Sequence, residues 1–137
     1  MSGAGGLFVR RGGELVELTE QRYDAEADLQ QLLANHPQLL PGSEMDPDDP
    51  RRFVLVRREA PVANLSLDHL FLDEDAIPTL VETKRGEDTR GRRDVVAQML
   101  DYAANAATGW KAEMLREWHA ERCLARGADP TEGLASL

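Results

Sequence analysis

The sequence predicts an α/β fold in which a central mixed β-sheet is flanked by helices on both faces. Three observations carry that expectation. The segment 65–72 puts large apolar side chains on both sides of a strand, with Leu65, Leu67 and Phe71 on one side and Leu70 and Leu72 on the other, as in a sheet covered twice. Strand-like runs at 53–56 and 79–84 bracket it, and stretches of helical periodicity lie at about 25–35, 95–107 and 111–126. A chain of 137 residues, 42% hydrophobic and 30% charged, is long enough for one domain with a real core.

Taken in order, residues 1–20 form an N-terminal extension with a hairpin. Leu7-Phe8-Val9 and Leu15-Val16-Glu17-Leu18 are short apolar runs, and Gly12-Gly13 between them supplies the positive φ of a tight turn. Its expected role is to cover a sheet edge. The core spans 24–108. Asp24 is placed to cap a helix whose first turn holds Glu26 and Asp28, favoured there by the helix dipole, and whose stripe is Ala25, Leu29, Leu32 and Leu33. Asn35-His36-Pro37 ends it. Residues 41–50 read as a polar, proline-bounded loop; its aspartates lack the spacing and downstream glutamate of a calcium loop. Asp73 to Ala76 reads as a solvated hairpin tip.

The helix at 95–107 has Asp94 as its expected N-cap and Gly109 as its stop, with Val95, Val96, Met99, Leu100, Ala103 and Ala106 facing inward. Residues 110–137 hold a last helix that turns Met114, Leu115, Trp118 and Leu124 inward and stops at Arg126-Gly127. Thr131 to Leu137 reads as the start of another element that breaks off, as in a piece of a longer protein. His119 and Cys123, one helical turn apart, are two ligands at most, and packing is the expected role of both.

Composition narrows the function classes. No apolar run approaches the ~20 residues of a membrane span, and the N-terminus lacks the apolar stretch of a signal peptide, so no membrane and a cytoplasmic location are expected. The single Cys123 rules out an intrachain disulfide and a cysteine-based zinc site. A net charge of −9 argues against a simple nucleic-acid coat. The charge is uneven, however. Lys84, Arg85, Arg90, Arg92 and Arg93 crowd into ten residues against only Glu87 and Asp88, and the four arginines are the candidate phosphate contacts.

Next to that basic loop lie the residues that carry chemistry. On a strand, Glu82 and Lys84 share a face and Thr83 points away. If the preceding hairpin closes so that Asp68 falls opposite Glu82, two carboxylates and an ammonium converge. Gln98 and Tyr102, at i and i+4, share one helix face. Read blandly, Glu82 and Lys84 form a strand ion pair worth ~0–1 kcal/mol. The apolar surroundings favour a functional reason for keeping the charges. Mg²⁺ or Mn²⁺ is the expected ion, since such hard cations take one or two carboxylates and keep several waters, and Asp68 and Glu82 supply those carboxylates. Lys84 is placed to position the attacking water or balance phosphate charge; Gln98 and Tyr102 complete a polar network around it. With two like charges held together, Asp68→Asn is expected to cost the metal-free fold nothing.

The order Asp68, Glu82-x-Lys84, Gln98-x-x-x-Tyr102 resembles the PD-(D/E)XK, or restriction-endonuclease-like, nuclease superfamily and its RecB-type branch, over residues 24–106. Leu67 stands where many members have proline. The resemblance implies a restriction-endonuclease-like core and a Mg²⁺- or Mn²⁺-dependent nuclease acting on DNA in repair, restriction or defence. It also implies that Asp68, Glu82, Lys84, Gln98 and Tyr102 are catalytic, that the Thr83 backbone carbonyl is a third metal ligand, and that Glu26 joins the site from the first helix. A nuclease-fold module that binds a protein or nucleic acid without cutting is the alternative, and a further domain or a second copy is an expected partner.

Overall fold

The computed structural model of the chain describes residues 6–19, 26–84 and 92–135. Its centre is a three-stranded sheet in the order β3 (Phe53–Val62), β4 (Leu65–Asp73), β5 (Pro78–Val81). Every pairing in it is antiparallel, not mixed as the sequence suggested. Connection length explains the difference. The links after β3 and β4 are tight turns, and a parallel neighbour would need a crossover of about a dozen residues or more. Ala63, in the first turn, takes φ +53° where glycine is usually found. A bulge between Leu55 and Arg57 shifts the β3–β4 register by one residue.

Helices cover both faces, as expected. On one face, Ala34 of α1 (Glu26–Asn35) packs with Leu55 and Phe71, flanked by Leu40, Phe53 and Val81. On the other, Tyr102 and Ala106 of α3 (Arg92–Gly109) pack with Val56, Leu70 and Leu72, joined by Leu115 and Trp118 of α4 (Ala112–Ala125). Trp110, between those helices, donates its indole N–H to the Pro61 carbonyl at 2.9 Å and meets Trp118 edge-on at 5.8 Å. Arg57 lies over the Trp118 ring, 4.9 Å from its centroid. Phe71 is wholly buried, so truncating it to alanine would cost ~3–5 kcal/mol.

Several expectations about local structure change. α3 begins at Arg92, so Asp94 lies within its first turn instead of capping it. Its buried face carries Tyr102 and Ala106, with Met99 beside them, while Val96 and Leu100 are 57% and 66% exposed and Ala103 is exposed. Gln98 and Tyr102 therefore face the sheet and three predicted core residues face out. Leu124 is also exposed, whereas Trp118 packs inward. β5 ends at Val81, which leaves Glu82-Thr83-Lys84 on the segment leaving the strand.

The hairpin of β1 (Leu7–Arg11) and β2 (Glu14–Leu18) forms, with Gly12 and Gly13 at φ +56° and +94°. It is a sheet of its own, exposed at every strand residue, and not a cover for the central sheet's edge. The loop at 41–50 contains a short helical turn, α2 (Gly42–Met45), ahead of a bend where Asp46 accepts the amides of Asp48 and Asp49. A Cβ at Gly42 would sit 1.9 Å from the Arg51 carbonyl oxygen, so this approach needs glycine. The acidic tip after β4 is clasped, not merely solvated. Arg51 pairs with Asp75 and lies within 3.7 Å of Asp73 and 3.8 Å of Glu74. Asp73 accepts the amides of Asp75 and Ile77. α5 (Pro130–Ala135) follows α4.

Candidate active site

The β4–β5 register runs from Leu72↔Pro78 to His69↔Val81, and one further step sets Asp68 opposite Glu82. Each carboxylate is tied to backbone on the facing segment. The Asp68 amide donates to Glu82 Oε2 at 3.3 Å, and the Thr83 amide donates to Asp68 Oδ2 at 2.8 Å. The Thr83 hydroxyl donates to the same oxygen at 2.7 Å, so its side chain, expected to point away, instead holds Asp68. The reason is that the strand has ended at Val81 and strict alternation no longer governs Thr83.

Glu82 is the hub. Its side chain is 7% exposed, and Oε1 accepts from Lys84 Nζ at 3.2 Å and from Gln98 Nε2 at 3.1 Å. Gln98 Nε2 also donates to the Tyr102 oxygen at 2.9 Å, and the Tyr102 hydroxyl donates to the Ser66 carbonyl at 2.9 Å. The helix pair is thereby fastened to β4, two residues from Asp68. Five side chains from β4, the segment leaving β5 and α3 form a single polar cluster on the α3 side of the sheet.

Burial pulls the Lys84 ammonium down. The hydrogen bond that it donates to Glu82 and the charges of Glu82, Glu26 and Asp68 outweigh it, and the group is held above the usual lysine range. Glu26, at the start of α1, thus lies near enough to act on Lys84. Among the described residues, however, no three His, Cys, Asp or Glu side chains gather into a metal-holding group, so Glu26, Asp68 and Glu82 do not form a three-acid cluster.

Beneath Asp68, on the α1 side, His69 is fully buried, stacks on Phe71 and donates Nε2–H to the Gln30 carbonyl at 2.8 Å. Burial holds it below the usual imidazole range, against the pull of that carbonyl. Opposite Asp68 on β3, Glu59 takes φ +50°, a strained conformation for a non-glycine residue and one often found beside functional sites. Neither this strain nor the Thr83 hydroxyl and Ser66 carbonyl contacts carries a sequence signal.

Of the four candidate phosphate-binding arginines, Arg85 and Arg90 lie outside the described residues, as does the side chain of Arg92. Arg93 is exposed in the first turn of α3. The chain matches no protein-family model, no curated protein and no solved structure.

Proposed function

We propose that the chain is a metal-dependent nuclease domain with a restriction-endonuclease-like core, hydrolysing phosphodiester bonds in DNA in repair, restriction or defence. The observation that carries this is the half-buried polar cluster joining Asp68, Glu82, Lys84, Gln98 and Tyr102. An ordinary surface ion pair needs neither a buried glutamate nor a glutamine and a tyrosine aimed at it.

The donor set suits Mg²⁺ or Mn²⁺. Among the described residues, Asp68 Oδ1 accepts no hydrogen bond and Glu82 Oε2 accepts only the long one from the Asp68 amide. Two carboxylate oxygens with waters filling the remaining positions match how such ions bind, with the Thr83 carbonyl the implied third ligand. When bound, the ion activates water and offsets negative charge on the phosphoryl group. Asp68 and Glu82 would hold it, and Thr83, by fixing Asp68 Oδ2, turns Oδ1 to that task. Lys84, held as an ammonium, donates to a phosphoryl oxygen or orients the attacking water; it is a poor proton acceptor. Gln98 fixes Glu82, and Tyr102 fixes Gln98.

Incubating the protein with plasmid and single-stranded DNA, in Mg²⁺, Mn²⁺ or EDTA, tests the proposal. Cleavage should require the ion and vanish in Asp68→Ala and Glu82→Ala. The net charge of −9 and the two-acid set favour a second reading, a module of the same fold that binds without cutting. DNA binding by the wild type with no cleavage in either metal would select it.

A further inference from the structure

We propose that the cavity at the free edge of β3, between the end of α1 and the last turns of α4, binds inorganic hydrogen phosphate, an oxyanion that keeps a P–OH at neutral pH. The cavity measures about 280 Å³ and is lined by Asn35, His119, Arg122 and Arg126 among others. It lies across the sheet from β5 and is separate from the Asp68–Glu82 cluster, so it does not rest on the nuclease reading.

Charge is the first argument. In a chain of net charge −9, Arg122 sits beside Arg126 and Arg58, two like charges. Burial, then Arg126, then Arg58 hold its guanidinium below the usual range. None of the ion pairs among the described residues includes any of these three arginines. Arg58 is occupied by neutral partners, donating to Gln31 at 2.7 Å and Gln30 at 3.3 Å. Arg122 makes one long hydrogen bond among the described residues, 3.4 Å from Nη2 to the Ala34 carbonyl. Most of its five donors remain for a ligand, in the planar fork that suits phosphate.

Hydrogen-bond roles supply the second argument. Asn35 Oδ1 already accepts from Gln31 Nε2 at 3.1 Å, which leaves its amide nitrogen as a donor. His119 is 2% exposed, and its Nε2 lies 3.1 Å from the Pro130 carbonyl. A carbonyl only accepts, so Nε2 carries the proton and Nδ1 presents a lone pair. That Nδ1 is buried with no partner among the described residues. A buried acceptor left unmatched costs ~1–3 kcal/mol, and a ligand with a hydroxyl proton would satisfy it. Arginine and amide donors next to one lone acceptor match a P–O⁻ and P–OH pair. Sulfate, which carries no proton at neutral pH, matches the donors but not the acceptor.

Calorimetric titration at neutral pH and constant ionic strength with inorganic phosphate and sulfate tests the assignment. Phosphate should bind saturably, with sulfate at least tenfold weaker. Arg122→Gln should weaken binding tenfold or more. Arg126→Gln, at an exposed position that leaves the fold intact, should weaken it severalfold, and Asp68→Ala should leave it unchanged. Absence of saturable binding, equal binding of sulfate, or unchanged affinity in Arg126→Gln would each overturn the proposal.

Discussion

Removing the Asp68 side chain tests whether its carboxylate is held by donors or suffers repulsion from Glu82. In Asp68→Ala, the Thr83 amide and hydroxyl lose the shared acceptor they reach at 2.8 and 2.7 Å, at a residue only 4% exposed. Each stranded donor costs ~1–3 kcal/mol, but the hydroxyl can rotate, so the sum falls near 2–3 kcal/mol. For a domain of this size that is a drop of about 6–12 °C in Tm. Asp68→Asn keeps an oxygen acceptor and loses only the charge assistance, ~1 kcal/mol and about 3–4 °C. This reverses the expectation from sequence that the asparagine variant would be as stable as wild type. Thermal melts in EDTA measure both. Added Mn²⁺ at a hundredfold excess over its Kd should stabilise wild type by ~2.7 kcal/mol and neither variant. An alanine variant melting within a degree of wild type in EDTA would refute the hydrogen-bond account.

Replacing any two of Arg85, Arg90, Arg92 and Arg93 should weaken DNA binding and flatten its log–log salt dependence by about two units; an unchanged slope would move the DNA surface elsewhere. His69, held low by burial, stays neutral in the fold while the unfolded chain takes up a proton near 6.5. The unfolded state then binds more protons, so stability should fall as pH drops below that value. Urea melts at about pH 7.5 and about pH 5 should show a smaller loss for His69→Phe than for wild type, and equal losses would remove His69 as the cause. Gly42→Ala should cost ~2–3 kcal/mol in a denaturant melt, because its Cβ collides with the Arg51 carbonyl; a neutral result would mean that the turn can yield.

The pairing of Asp68 with Glu82 was legible because a short link forces β4 and β5 to be antiparallel and fixes the register within a residue. Gln98 and Tyr102 were legible as a pair because helix geometry alone puts i and i+4 on one face. Which face of α3 turns inward was not. Val95, Val96, Ala97, Met99, Leu100 and Ala103 spread apolar residues over more than half of its circumference, and the polar cluster of Glu82 decides the orientation. The Arg51 clasp on the acidic tip joins residues over 20 apart, beyond any local pattern. Alternation predicted Thr83 wrongly because the strand stops three residues sooner than its composition suggests.

The proposed nuclease site depends most directly on Lys84, whose ammonium Glu82 holds in place and which is the one lysine beside the site. Its rate contribution can be read from single-turnover cleavage of a labelled DNA in Mn²⁺. Loss of one preorganised donor to a developing negative charge is worth ~10²–10³ in rate. Lys84→Ala should therefore cleave at least a hundredfold more slowly than wild type while still binding DNA and Mn²⁺. Cleavage by the Lys84→Ala protein at the wild-type rate would contradict the assignment of this cluster as a nuclease site.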